Sequence, residues 1–76
     1  MSGYIARKFV PVTPSDTVDL ADGVCNGLLV ASAGTANLDE PGGTARSSVP
    51  LQAGYNPIAV KRVRTGGTAS GIWALY

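Results

Sequence analysis

The chain has 76 residues, with six Lys or Arg against five Asp or Glu and no histidine, for a net charge of +1. That near-neutral balance excludes general attraction to nucleic acid or an anionic membrane as an organising force; the single cysteine excludes an internal disulfide, and the lack of histidine removes both a Cys/His zinc site and the commonest general base. Charged residues make up 14% of the chain where about 25% is usual, and a chain this short buries only about 60% of its unfolded surface, so part of the surface is expected to be an interface and oligomerisation to supply the missing stability.

Residues 1–8 are a polar start carrying Arg7 and Lys8, with no apolar core of a signal peptide, and no later run approaches the length of a membrane helix. The expectation is a soluble chain made in the cytoplasm. Residues 1–12 read as an extended N-terminal arm. Pro11, inside Phe9-Val10-Pro11-Val12, has no amide hydrogen to give to a ladder. The arm therefore belongs along a sheet edge or across a neighbouring subunit, anchored by Phe9. In residues 13–23, Thr13 is a candidate N-cap with Pro14 at the first helical position and Asp16 completing a capping-box-like pattern. Thr17 and Val18 are β-branched and Gly23 follows within two turns, so the segment reads as a turn or at most one or two helical turns. Asp16, Asp19 and Asp22 recur every third residue, not at the alternate positions of a calcium loop with its closing Glu. They read as turn-stabilising or interface carboxylates.

Residues 24–32 form the clearest strand. Val24, Asn26, Leu28 and Val30 fall on one face and Cys25, Gly27, Leu29 and Ala31 on the other, so both faces are largely apolar and the strand is expected to be central. Cys25 reads as a buried, inert thiol, since no histidine can activate it. Residues 34–38 and 44–49, joined by Asp39-Glu40-Pro41-Gly42-Gly43, read as a polar hairpin, and residues 50–57 as a link. Gly-Thr-Ala occurs at 34–36, 43–45 and 67–69, each time where a turn hands over to a strand. The uneven spacing makes it shared turn chemistry and not a repeat. After the link, Ile58 and Val60 point inward and Ala59 and Lys61 outward. The alternation breaks at Arg62-Val63-Arg64, as a bulge or an outward-facing partner contact would require.

Thr65-Gly66-Gly67-Thr68 is expected to close a C-terminal hairpin with residues 69–76. It leads into a strand and lacks Gly-Lys-Ser/Thr, so it is not a phosphate loop. In the last strand Ile72, Ala74 and Tyr76 point one way, and Trp73 and Leu75 the other. Both faces need a cover. One is expected from the chain's own core and the other from a neighbouring subunit, which would bury Trp73 in the assembled state.

The sum is one all-β domain, a small antiparallel β-sandwich or barrel of five to six short strands, with no cofactor and no metal expected. The interface candidates are Phe9, Val10, Asp16, Asp19, Lys61, Arg62, Arg64, Trp73, Leu75 and Tyr76, with the carboxylates expected to meet the cations across a subunit boundary. A structural adaptor accounts for the low charge and the doubly apolar strands. The alternative is a small nucleic-acid-binding β-barrel in which Lys61, Arg62 and Arg64 would make a basic face with Tyr55 and Trp73 as stacking platforms. An enzyme is the least supported class, because the remaining acid and base groups are scattered over turns.

Several stretches taken together carry a resemblance. They are Phe9 through Leu20 with its Val-Thr-Pro-Ser-Asp-Thr-Val-Asp-Leu, Gly27-Leu28-Leu29-Val30 running to Gly34, Pro57-Ile58-Ala59-Val60-Lys61-Arg62-Val63, Thr65-Gly66-Gly67-Thr68-Ala69, and the closing Ile72-Trp73-Ala74-Leu75-Tyr76. In order, spacing and ending these resemble the head spike base protein family of tailed phages and gene transfer agents. The resemblance implies a homo-oligomer, most simply a pentamer, in the virion. It would sit on the capsid surface at the vertices, contact the major capsid protein, and seat a spike fibre that binds the host. It implies no catalytic residue, and the near-neutral charge leaves no nucleic-acid or membrane partner expected. The central hairpin, with Asp39-Glu40-Pro41-Gly42-Gly43 and Ser47-Ser48, is more polar than the family pattern.

Overall fold

The computed structural model describes residues 5–76; of the expected N-terminal arm, residues 1–4 lie outside the described part. Among the described residues there are seven strands: β1 Phe9–Pro11, β2 Gly27–Ser32, β3 Gly34–Asp39, β4 Ala45–Leu51, β5 Gly54–Asn56, β6 Arg62–Arg64 and β7 Ser70–Leu75. They form two antiparallel sheets, one of four strands in the order β1-β7-β2-β5 and one of three in the order β4-β3-β6. The chain is an all-β sandwich. Between the sheets lie Cys25, Leu28, Val30, Ala36, Leu38, Leu51, Val60, Val63, Ile72 and Ala74, all buried. Cys25 is the free, fully buried thiol that its apolar setting predicts.

The arm lies on a sheet edge. β1 pairs with β7 through Phe9 opposite Leu75, Val10 opposite Ala74 and Pro11 opposite Trp73, and its other edge is open, where the missing amide of Pro11 costs nothing. The arm is pinned beyond the strand as well. The amides of Arg7 and Lys8 donate to the Tyr76 carbonyl, and the Tyr76 amide returns a bond to Lys8. No helix forms in residues 13–23. The Ser15 hydroxyl accepts from the amides of Thr17 and Val18, so Ser15, not Thr13, organises the turn.

The expected hairpin at residues 34–49 is present as β3–β4. Its Glu40-to-Gly43 turn is closed by bonds from the Gly43 amide to the Glu40 carbonyl and from the Glu40 amide to the Thr44 carbonyl. The expected C-terminal hairpin is not a hairpin. β6 pairs with β3 in one sheet and β7 with β2 in the other, so Thr65-Gly66-Gly67-Thr68 is a corner that carries the chain across the core. The reason lies in the glycines and threonines. Gly66 adopts a φ of 93°, and a Cβ at Gly67 would come 2.5 Å from the Thr35 carbonyl oxygen, so this turn is pressed against β3. The amides of Thr68 and Ala69 both donate to that carbonyl, and the Thr35 amide donates to the Thr68 hydroxyl. Two of the three Gly-Thr-Ala copies, at 34–36 and 67–69, are thus clasped to each other.

The 50–57 stretch read as a link is shorter than expected, because β4 runs through Pro50 to Leu51 and β5 begins at Gly54. β5 is a strand because Asn56 props it. This buried side chain accepts from the Gln52 amide and donates to the carbonyls of Gln52 and Gly54, replacing a tight turn with side-chain bonds. Inward Val60 and outward Ala59 follow the expected alternation, although only Arg62–Arg64 of that run pairs as a strand. The bulge lies elsewhere, where β3 and β4 shift register between Ala36 and Leu38. There Ser48 takes a φ of 56°, the one non-glycine residue with positive φ among those described. Asn37 bridges the irregularity, accepting from the Ser48 amide and donating to the Thr65 carbonyl.

Candidate functional site

Residues directly opposite in an antiparallel pair project from the same face. The registers Pro11–Trp73, Trp73–Leu29 and Leu29–Tyr55 therefore place one residue from each strand of the four-stranded sheet in a single row on its outer face. Phe9, Leu75 and Gly27 form the next row. The inner rows, with Leu28, Val30, Ile72 and Ala74, fill the core. The outer rows have no second sheet over them. Phe9 is 64% exposed, Leu29 43%, Tyr55 41% and Trp73 39%. The Phe9 and Trp73 rings meet at a centroid distance of 6.4 Å and an interplanar angle of 55°, a tilted aromatic contact. Gly27 makes room for Tyr55, whose Cε1 would lie 2.7 Å from a Cβ at that position. No residue in these rows carries a charge.

The charges gather on the other sheet, around β6. Arg64 makes a two-pronged contact with Asp39, Nε to Oδ1 at 2.7 Å and Nη2 to Oδ2 at 3.1 Å. Arg62 holds Asp19 through Nε at 2.8 Å and Nη2 at 2.7 Å, with Lys61 at the looser distance of 3.9 Å. Both arginines also donate to the backbone carbonyl of Asp16. The Asp16 carboxylate turns to Thr65, accepting from its amide at 3.1 Å and its hydroxyl at 2.7 Å. The result is a fastening that ties residues 15–19 to β6, supported by backbone bonds from Ser15 to Val63 and from Leu20 to Lys61.

The electrostatics follow from those contacts. The Thr65 hydroxyl and amide hold the Asp16 carboxyl below its ordinary value, with smaller help from Arg64 and Arg62. The Arg64 hydrogen bond holds Asp39 low against the cost of burial, and Asp39 in turn raises Arg64. Burial pushes the Tyr76 phenol up; its hydroxyl donates to the Gly23 carbonyl. Among the described residues, no group of three or more His, Cys, Asp or Glu is placed to hold a metal ion, and no helix is long and apolar enough to cross a membrane.

The expected interface residues thus separate into two sets on different sheets. Phe9 and Trp73 come together on the apolar outer face. Asp16, Asp19, Lys61, Arg62 and Arg64 come together around β6, and the partners expected from a neighbouring subunit are supplied within the chain. Three candidates are engaged internally. Leu75 is only 7% exposed, Val10 turns its side chain toward the core side of β1 opposite Ala74, and Tyr76 is tied to Lys8 and Gly23. Asp39, expected in a turn, instead ends β3 and is 3% exposed. Tyr55, expected as a stacking platform in the nucleic-acid alternative, lies instead in the outer apolar row, and Leu29, which alternation sets opposite Leu28 and Val30, joins it there. Compared with protein families, curated proteins and solved structures, the chain matches none.

Proposed function

We propose that this chain is a non-enzymatic structural virion protein, a homo-oligomeric base on the capsid surface at the vertices that seats a host-binding spike fibre. The observation that carries the reading is the uncharged pair of apolar rows on the four-stranded sheet, in a chain whose charged side chains, Arg7 apart, are engaged with its own residues. A small domain that leaves Phe9, Leu29, Tyr55 and Trp73 uncovered is built to meet other protein. The order and ending of the motifs that resemble spike base proteins supply the setting, with the major capsid protein on one side and the fibre on the other. A closed ring on a vertex axis is most simply a pentamer.

The nucleic-acid alternative needs Lys61, Arg62 and Arg64 to be available to phosphates. Arg62 and Arg64 are instead held by Asp19 and Asp39, and Trp73 and Tyr55 sit on the sheet away from them. The adaptor is therefore the better supported reading. Native mass spectrometry of the purified chain is the test. A single closed species of five copies is the expected result, and a monomer at tens of micromolar overturns the homo-oligomeric base.

A further inference from the structure

We infer that the outer face of the four-stranded sheet, centred on Leu29 and Trp73, is where one copy of this chain packs against a second copy. The inference rests on the proposed homo-oligomer and names its contact surface.

Area, charge and the state of the sheet edges lead to it. The exposed fractions of Phe9, Tyr55 and Trp73, scaled to aromatic side chains that can bury about 150 to 250 Å² each, together with a smaller share from Leu29, give an apolar patch of about 300 to 400 Å². A standard interface takes about 800 Å² from each partner, of which about 57% is apolar. The patch therefore approaches the size of the apolar part of one side of such an interface, and the polar ends of the strands supply a rim.

The face is also free of charge along both rows, Pro11-Trp73-Leu29-Tyr55 and Phe9-Leu75-Gly27. A second copy can approach it without setting like charges together, and no cationic or acidic partner has anything there to read. Association through the strand edges, the competing route for a β-protein, is obstructed at each of them. β1 is three residues long with Pro11, and β4 carries Pro50 and the bulge at Ser48. β5 is three residues long, and the backbone of β6 is already used by Ser15. Short strands, prolines and bulges are the devices that stop edge pairing. What remains open is a face.

The test compares the full chain with Leu29→Arg, and with Arg46→Glu on the exposed part of β4 as a control, by native mass spectrometry and far-UV circular dichroism. The expected result is an oligomer for the full chain and the control, and a monomer with an unchanged β-sheet spectrum for Leu29→Arg. If Leu29→Arg loses its spectrum, Leu29→Gln, which leaves a milder polar group on the same row, replaces it. An oligomer that survives either folded variant overturns the assignment of this face and leaves the homo-oligomeric reading standing. A full chain that is monomeric overturns both, and one that dissociates equally with Arg46→Glu overturns the face alone.

Discussion

Single residues show where this backbone has no slack. Ser48 occupies the left-handed region at the bulge, where a side chain costs about 1 to 2 kcal/mol and a β-branched one is worst tolerated. Ser48→Val is expected to lower stability by about 1 to 2 kcal/mol, while Ser48→Gly is close to neutral; urea denaturation of both variants checks the difference, and equal midpoints would mean that the bulge is not formed. Gly67 is tighter. Its Cβ would strike the Thr35 carbonyl oxygen and Ala36 Cα at 2.5 and 2.8 Å, backbone atoms that cannot swing aside. Gly67→Ala is expected to cost about 2 to 3 kcal/mol, against little for Gly42→Ala, which meets nothing within 4 Å. The triple Gly-Thr-Ala was legible as turn chemistry. That two copies grip each other was not, because the grip depends on β3 and the corner before β7 meeting across 33 positions of sequence.

At the scale of elements, period-2 alternation was the most reliable guide. It placed Leu28 and Val30 opposite Leu29 and Ala31, and made the strand central, with β7 and β5 on either side. Leu28→Ala, at a fully buried site, is expected to cost about 2 to 5 kcal/mol, and Leu29→Ala less than about 1 kcal/mol in the isolated chain; comparable losses would reverse the two faces. Turn chemistry misled at residues 65–68. A pair of glycines between β-rich runs normally closes a hairpin, but here tertiary packing on Thr35 turns it into a corner. The segment 15–19 is the turn that was expected, with no helical turn added, and its fastening to β6 has a pH signature. Asp16 and Asp39 both titrate lower in the folded chain than the 3.8 of a free carboxyl, so on acidification the unfolded chain takes up protons first. Stability is expected to be level from pH 7 to about 5 and to fall below about 4, read as the urea midpoint. Asp39→Asn should flatten part of that fall, and a midpoint unchanged at pH 3 would show that the carboxylates carry no weight.

Over the whole molecule, the sequence indicated fold class, a central strand and an edge arm, and it indicated that apolar surface would be left over. It left the strand count at five to six instead of seven, because β5 is held by the side chain of Asn56 and not by any run of β-formers. It also spread the expected interface over both sheets. The charged residues looked exposed in sequence because their carboxylates are far away along the chain, 43 positions in the case of Asp19 and Arg62. Only the fold brings them together, and it does so inside one protomer.

The position of β7 sets the order in which this molecule can be made. Residues 70–75 come last of the seven strands yet lie between β1 and β2, and both neighbours bond to them. Until they are synthesised, β1 has no partner and β2 has only the three-residue β5, while the local β3–β4 hairpin can already close. Folding of the four-stranded sheet is therefore expected to wait for β7 and to be limited by bringing β1 and β7 together, a long-range closure of the kind that slows β-proteins. A chain stopped after Gly67 should give the circular dichroism of a largely unfolded polypeptide, since one hairpin alone is marginal in water. The leftover apolar face is thus assembled last, from β1, β7, β2 and β5 together, so a chain that lacks β7 has no such surface with which to capture one that has it.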